Sequence, residues 1–197
     1  MNSIHKLYLF AFLHNLQFFG AISIPFFLEW GKLNYTQIFL LQTWFMFWVF
    51  ALEVPTGVIA DKFGRNKSLF LSGLIVAFGA LIYSQFQNFF LFLLAEFLWA
   101  AGSAFLSGAD KAVMYDTLKD KGIAEESKHF FSRYALFGTI GMVIAFPIGS
   151  IIAGSSLLPI PNILAFPMLL TAVPTFLSGL IAFSIKEPAR SKPKENL

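Results

Sequence analysis

The stretch GVIADKFGRNKSL, from Gly57 to Leu69, separates two long apolar runs and carries one aspartate, two lysines and one arginine. A short charged link between two helix-length apolar segments is typical of a loop at the surface of a membrane. This stretch therefore predicts a chain that crosses a membrane, turns within a few residues and crosses it again.

The composition of the whole chain extends this interpretation. Of its 197 residues 57% are hydrophobic and only 13% are charged, and the mean hydropathy is +0.70. Soluble domains are about 25% charged, so a soluble fold is excluded. The chain has no cysteine, which excludes disulfides, thiolate metal sites and a cysteine nucleophile.

Six apolar segments approach the length of about 20 residues that a helix needs to span a bilayer. They are Tyr8–Leu28, Ile38–Ala60, Ser68–Phe86, Phe89–Gly108, Phe131–Ala153 and Ile163–Ser184. The predicted fold is an all-α, polytopic membrane protein with six transmembrane helices. We expect residues 1–185 to form this bundle, and residues 186–197 to form a basic cytoplasmic tail or the start of a central loop between domains.

The basic residues predict the orientation. If the N-terminus lies inside, thirteen of the 14 lysines and arginines fall on inner segments and only Lys32 lies outside, as the positive-inside rule requires. Both termini are then cytoplasmic, and the net charge of +3 marks topology instead of nucleic-acid binding. The inner segment KDKGIAEESKHFFSR, Lys119–Arg133, is expected to form a surface helix.

The charged loop has its own physical logic. Gly57 lets another backbone approach the end of the second span, and Gly64 suits the chain reversal because glycine tolerates unusual backbone angles. Lys62 and Arg65 can extend to partners at the level of the lipid headgroups. The loop is therefore expected to make contacts beyond its own two helices.

Asp61 lies at the C-terminal end of the second span, where the helix dipole disfavours an anion. It makes physical sense mainly if it faces the N-terminus of another helix. Arg65 requires a carboxylate partner, and Asp110, at the inner end of the fourth span, is the nearest candidate by depth.

A family resemblance rests on this loop. Its glycine, aspartate, basic residue, glycine and arginine at Gly57, Asp61, Lys62, Gly64 and Arg65, with Leu69, resemble the signature loop of the major facilitator superfamily, although Asn66 stands where a second basic residue is usual. The stretches EVPTG (53–57), SGADKAVMYDTL (107–118) and KEP (186–188) resemble a bacterial branch of permeases, many of them efflux-like. The resemblance implies a transporter of small solutes in the bacterial inner membrane, and not an enzyme.

The resemblance also implies twelve helices in two halves, each half built from two inverted three-helix repeats, with the solute path between the halves. This chain corresponds to the N-terminal half, and Asp61 would face a helix of the second half. We expect a fragment of a longer protein first, and a transporter made of two chains second. The second half would then be the missing C-terminal half, a homologous chain or another copy.

Polar residues within the spans are candidates for binding solute or protons, since they are costly in a bilayer. His14, Asn15 and Gln17 lie near the middle of the first span. His14 could exchange a proton near neutral pH, and the two amides could bind solute. The alternative is that the amides bond the first helix to its neighbours.

Two carboxylates lie within spans. Glu53, next to Pro55, is a candidate for proton coupling, but pairing with Arg133 or Lys111 is slightly favoured, because Glu53 lies only about one turn from the charged loop. Glu96, in the outer half of the fourth span, lies far from any obvious cation and is the better candidate for binding a proton or a cationic solute. The alternative for Glu96 is a structural hydrogen bond.

Small residues in two spans predict close helix packing. They are Ala100, Ala104 and Gly108 in the fourth span and Gly138, Gly141 and Gly149 in the fifth, where Pro147 indicates a bend.

The sequence offers no glycine loop for phosphates, no histidines at metal-ligand spacing and no serine, histidine and acid set, so no cofactor or metal is predicted. Three hypotheses stay open: half of a proton-coupled transporter, working outward if it is efflux-like; a non-transporting scaffold, partner subunit or inactive truncated permease; and a six-helix membrane enzyme without a recognisable catalytic set.

Overall fold

The protein is described from a computed structural model for residues 2–155 and 162–186, and this part of the chain contains helices and turns but no strand. The longer helices are α1 Ser3–His14, α2 Tyr35–Phe63, α3 Arg65–Gln85, α4 Phe89–Leu106, α5 Ala109–Asp120, α6 Ser127–Gly154 and α7 Phe166–Phe183. The predicted all-helical class is confirmed. The predicted basic tail lies outside the described residues except for Lys186.

Within the described ranges, five helical segments are long and apolar enough to cross a membrane. They are Tyr35–Phe63, Arg65–Gln85, Phe89–Asp120, Ala124–Gly154 and Phe166–Phe183. They correspond to the second to sixth predicted spans. The first predicted span differs.

That span, Tyr8–Leu28, is not one continuous helix, because α1 ends at His14. The Asn15 side chain donates to the carbonyl oxygen of Ala11 at 2.8 Å, and the backbone N–H of Phe18 donates to Thr171 Oγ1 at 2.9 Å instead of to its own helix. The chain continues in short turns of three kinds, Gly20–Ile22, Ser23–Pro25 and Phe26–Trp30. Asparagine competes for backbone hydrogen bonds, and glycine and proline weaken helices.

The surface helix predicted at Lys119–Arg133 is also wrong. The amphipathic helix comes earlier, as α5, and the chain turns at Gly122, whose φ is 71°. After a single turn at Ala124–Glu126, the charged residues from Ser127 onward belong to the first turns of α6. The mixed charges therefore belong to the start of the segment Ala124–Gly154, which is long and apolar enough to cross a membrane.

Helix α1 and the five longer apolar helices pack in a defined lateral order. Helix α2 packs against α4, α4 against α3, α3 against α7, α7 against α1, and α1 against α6. The order is symmetric along the chain, because the row is reproduced when α1, α2 and α3 are exchanged, in this order, with α4, α6 and α7. The helices α2 and α6 therefore lie at the two ends of the row.

Glycines set the closest contacts in this row. A Cβ atom on Gly73 of α3 would lie 2.6 Å from the backbone nitrogen of Gly179 of α7, so the two backbones meet without side chains between them. Gly141 and Gly149 of α6 similarly face the carbonyl oxygens of Phe12 and Phe18. The predicted close packing of α6 is thus confirmed.

In the fourth span the prediction holds for two of its three residues. Ala100 and Ala104 are buried, but Gly108 has open space around it and a φ of 75°. Gly108 thus separates α4 from α5, because the left-handed region favours glycine.

Both ends of the described chain lie at the same end of the bundle as the charged loop. Lys6 Nζ donates to the carbonyl oxygen of Ser184 at 2.6 Å, and Asn66 Nδ2 donates to that of Ile185 at 3.3 Å. A lysine beside the last carbonyls of α7 also complements the helix dipole.

Candidate functional site

The charged loop is a tight reversal between two long helices. Helix α2 ends at Phe63 and α3 begins at Arg65, with Gly64 alone between them at a φ of 111°. Since L residues rarely adopt this angle, the prediction that Gly64 allows the reversal is confirmed. The geometry fixes Arg65 in the first turn of α3.

Arg65 contacts two carboxylates. Its Nη1 donates to Asp116 Oδ2 at 2.5 Å, and its Nη2 lies 3.7 Å from Asp61 Oδ1. The expected pairing of Arg65 with Asp110 is wrong, because the short ion pair is made by Asp116, six residues further along α5. Arg65 therefore connects the ends of α2 and α3 to α5.

Asp110 is buried in the first turn of α5. Its carboxylate accepts a hydrogen bond from the backbone N–H of Lys111 at 2.7 Å and lies beside the Tyr134 side chain of α6. A carboxylate at a helix N-terminus is stabilised by the helix dipole. Asp110 thus holds the start of α5 next to α6.

Gly57, Asp61 and Lys62 lie on the exposed side of the loop region. The closer approach expected at Gly57 does not occur within the described part of the chain, where a Cβ atom added to this glycine would meet no atom within 4 Å. The side chain of Asp61 is 68% exposed, and Lys62 Nζ lies 5.5 Å from the centre of the Phe63 ring. This surface is open at the end of α2.

His14 is buried between helices. Its Nδ1 lies 3.2 Å from Ser178 Oγ of α7, and its ring stacks on Phe10 at 5.2 Å. The Ser178 hydroxyl donates to the carbonyl oxygen of Thr175, so its oxygen is left to accept a hydrogen bond from His14 Nδ1. His14 therefore connects α1 to α7, and its proposed proton exchange stays a prediction.

The two amides of the first span play different local roles. Asn15 caps α1 and lies 3.1 Å from the Cβ position of Gly138 on α6, which agrees with the interpretation as a contact between helices. Gln17 lies in the irregular segment after α1 and is partly exposed. Solute binding by either amide stays a prediction.

Glu53 lies on the exposed side of α2. Among the described residues neither Arg133 nor Lys111 lies within 4 Å of its carboxylate, since the ion pairs there all involve Arg65. The suggested pairing is therefore wrong.

Near Glu53, Thr56 Oγ1 lies 3.0 Å from the carbonyl oxygen of Ala104 and connects α2 to α4.

Glu96 is a buried acidic residue whose side chain lines a cavity. It is only 6% exposed, and its Oε1 lies 3.5 Å from Gln42 Nε2. The Tyr83 hydroxyl faces the same carboxyl group, although the geometry falls short of a hydrogen bond. Within the described residues no lysine, arginine or histidine lies within 4 Å of this carboxylate.

The cavity has a volume of about 540 Å³ and lies where α2 and α4 begin and α3 ends. Half of the residues in its wall are aromatic: Phe19, Phe27, Tyr35, Phe39, Phe45, Tyr83 and Trp99. Gln42 and Asp61 are 19 residues apart on α2, so about 28 Å separates the cavity from the charged loop. His14 and Glu53 do not belong to the cavity wall.

Four residues of these sites were not anticipated from the sequence: Asp116, Gln42, Tyr83 and Ser178. Gln42 carried a usable signal, since it is a polar residue inside an apolar span. The other three are recognisable only from the helix neighbours that the fold gives them. In the described part of the chain, no group of three or more acidic or histidine side chains is arranged to hold a metal ion.

A comparison with known proteins adds to this geometry. No curated protein matches the chain. The family model of the Major Facilitator Superfamily matches residues 7–196. This range includes the charged loop, the Arg65–Asp116 ion pair and Glu96 with its cavity. Members of this family move small solutes across membranes. The match spans nearly the whole sequence, and the chain therefore belongs to the major facilitator superfamily of membrane transporters.

Proposed function

We propose that this chain forms one six-span bundle of a proton-coupled transporter for a small solute, in which Glu96 binds the proton. The observation that carries the proposal is a carboxyl group buried in an aromatic cavity without a cationic partner among the described residues. Such a group is costly in a bilayer and indicates function. The interrupted first segment, with α1 and the turns after it, is taken as the first of the six spans.

Two exposed helices support a second bundle. Only 11% of the apolar stretch of α2 and 22% of that of α6 are buried, against 61% for α3. Glu53 lies on the open side of α2, where an unpaired carboxylate facing lipid is unfavourable. We propose that a second six-helix bundle covers these two helices, with the solute path between the bundles.

The symmetric helix order supports two inverted repeats, α1 to α3 and α4 to α7, as in transporters that alternate by rocking. We further propose that the charged loop and both chain ends face the cytoplasm of a bacterial cell. The distribution of basic residues supports this orientation, and so does the contact of Lys6 with Ser184. The aromatic cavity then lies toward the outer side.

The test is transport in liposomes that contain a pH-sensitive dye, by the chain purified from its own membrane together with the second bundle. We expect solute-dependent proton movement under an imposed pH gradient, measured in both directions, and its loss in Glu96→Gln, since the amide cannot carry the proton. Glu29→Gln is the matched control, because Glu29 is exposed at the same end of the bundle. Unchanged proton movement in Glu96→Gln would remove Glu96 from the coupling role.

The exposed faces of α2 and α6 also favour one alternative, a scaffold or partner subunit that assembles without transporting. This function predicts a stable complex whose formation does not depend on Glu96. If the chain and the second bundle form a folded complex that moves neither protons nor any class of solute, cationic, anionic or neutral, the result would support the scaffold over the transporter.

A further inference from the structure

The charge of the cavity restricts what it can bind. The ionisable groups in its wall are Glu96, Tyr35 and Tyr83. None of them is cationic, and the described part of the chain brings no basic side chain within 4 Å of Glu96. An anionic solute would therefore meet a carboxylate without a compensating charge, whereas a cation would supply the partner that the carboxylate lacks.

The aromatic side chains point in the same direction. Trp99 lies in edge contact with Phe19, with ring centres 5.2 Å apart, and 6.4 Å from Tyr83. Electron-rich ring faces attract cations, most strongly when water is excluded. Rings around one carboxylate thus provide two kinds of attraction for a positive charge.

Shape and polarity favour an organic cation over a metal ion. The volume of about 540 Å³ lies within the range of sites for small organic ligands. The groups that could replace the hydration shell of a metal ion are few, chiefly the Glu96 carboxylate and the Gln42 amide, whereas Mg²⁺ or Ca²⁺ requires six or more oxygen ligands. Most of the remaining wall can contact only apolar surface.

Resting on the proposed transport function, we propose that the solute is an organic cation with an aromatic or otherwise apolar body, held by Glu96 and the rings of the cavity. The positive centre lies against the Glu96 carboxylate. The apolar body contacts Phe27, Phe45 and Trp99. Gln42 orients the carboxylate through its amide group.

The test is equilibrium dialysis of the purified chain in detergent with tetraphenylphosphonium and with tetraphenylborate, which match in shape and differ in the sign of charge. We expect saturable binding of the cation and only micelle partitioning of the anion. Glu96→Gln should weaken cation binding by about tenfold or more, and Trp99→Leu by about threefold or more. Glu29→Gln should bind like the wild type.

Glu96→Asp keeps the charge and guards against a folding defect in Glu96→Gln, so it should retain more binding than the amide. Equal binding of both probe ions, unchanged binding in Glu96→Gln, or no saturable cation binding would overturn the proposed solute class. Proton movement driven by an anionic or neutral solute, together with no cation binding, would refute the solute class and leave the transport function intact. Cation binding without any flux, when flux is measured on the chain together with the second bundle, would instead refute transport.

Discussion

Arg65 contacts the carboxylates of Asp61 on α2 and Asp116 on α5. The contribution of the second contact to transport can be measured. Exchanging the charges of Arg65 and Asp116, as Arg65→Asp with Asp116→Arg, keeps one opposite-charge pair between α3 and α5. We expect each single change to lower flux severalfold, since partly buried like charges then face each other. The double exchange should recover part of that flux.

The measurement is proton movement in liposomes for the two single variants and the double variant, compared as a double-mutant cycle. Arg65→Asp with Asp110→Arg serves as the matched control, because Asp110 lies on the same helix but beside Lys111 and Tyr134. Recovery by the Asp110 exchange and not by the Asp116 exchange would contradict the ion pair.

The partner of Arg65 shows where the sequence stops being sufficient. Depth pointed to the residues that follow the fourth span, and the partner of Arg65 lies on the helix that begins there. Asp110 and Asp116 both lie on that helix, six residues and about 120° apart around its axis. The face of α5 that meets α3 depends on how α5 turns at Gly108, and no local pattern specifies that rotation.

At the scale of the helix, a hydrogen bond to α7 follows the end of α1. The N–H of Phe18 donates to Thr171 Oγ1, and Thr171 is fully buried. Thr171→Val keeps the shape of the side chain but removes the acceptor, so we expect a loss of about 1–3 kcal/mol of stability. Thermal unfolding in detergent measures it.

Thr139→Val is the matched control, since Thr139 bonds only to the carbonyl oxygen of Ala135 within α6 and is exposed. We expect it to change the unfolding temperature little. An equal effect of both substitutions would indicate a general intolerance of valine and not the loss of this contact.

The positions of α2, α3, α4, α6 and α7 could be predicted from apolar length, because a bilayer fixes how many residues a spanning helix needs. The interruption after His14 could not be located from composition. Asn15 and Gly20 weaken a helix, but where the helix ends depends also on Thr171, which accepts the freed N–H of Phe18. That acceptor is 153 residues away in the sequence.

At the scale of the whole molecule, the open space at Gly57 makes a prediction about assembly. Gly57→Leu adds a side chain where the described chain offers no obstacle, so the stability of the bundle should stay within about 0.5 kcal/mol of the wild type. If a second bundle approaches there, flux should fall severalfold.

Thermal unfolding and proton movement in liposomes are measured on the same preparation. Val173→Leu, on an exposed part of α7, enlarges a side chain away from α2 and should alter neither. Normal flux in Gly57→Leu would place the second bundle elsewhere, and strong destabilisation would mean that the end of α2 is packed more tightly than the open space at Gly57 implies.

The candidate site, like the helices, could be predicted from the sequence only in part. The charged loop was recognisable from spacing alone, and so was Glu96 as a carboxylate without a nearby cation. The cavity around Glu96 was not, because its wall combines residues from the turns after α1 with residues of α2, α3, α4 and α7. Aromatic residues occur throughout the chain, 26 of them phenylalanine, and only the fold selects those that surround the carboxylate.

The contact of Gly73 with Gly179 has an evolutionary consequence. The two glycines lie on α3 and α7, which correspond to each other in the symmetric row. At each glycine, the backbone of the opposite helix leaves no room for a side chain. If an ancestral three-helix unit was duplicated, its two copies were free to diverge at the cavity but not at this point. An alignment of relatives should therefore show small residues at both positions even where the residues around Glu96 vary.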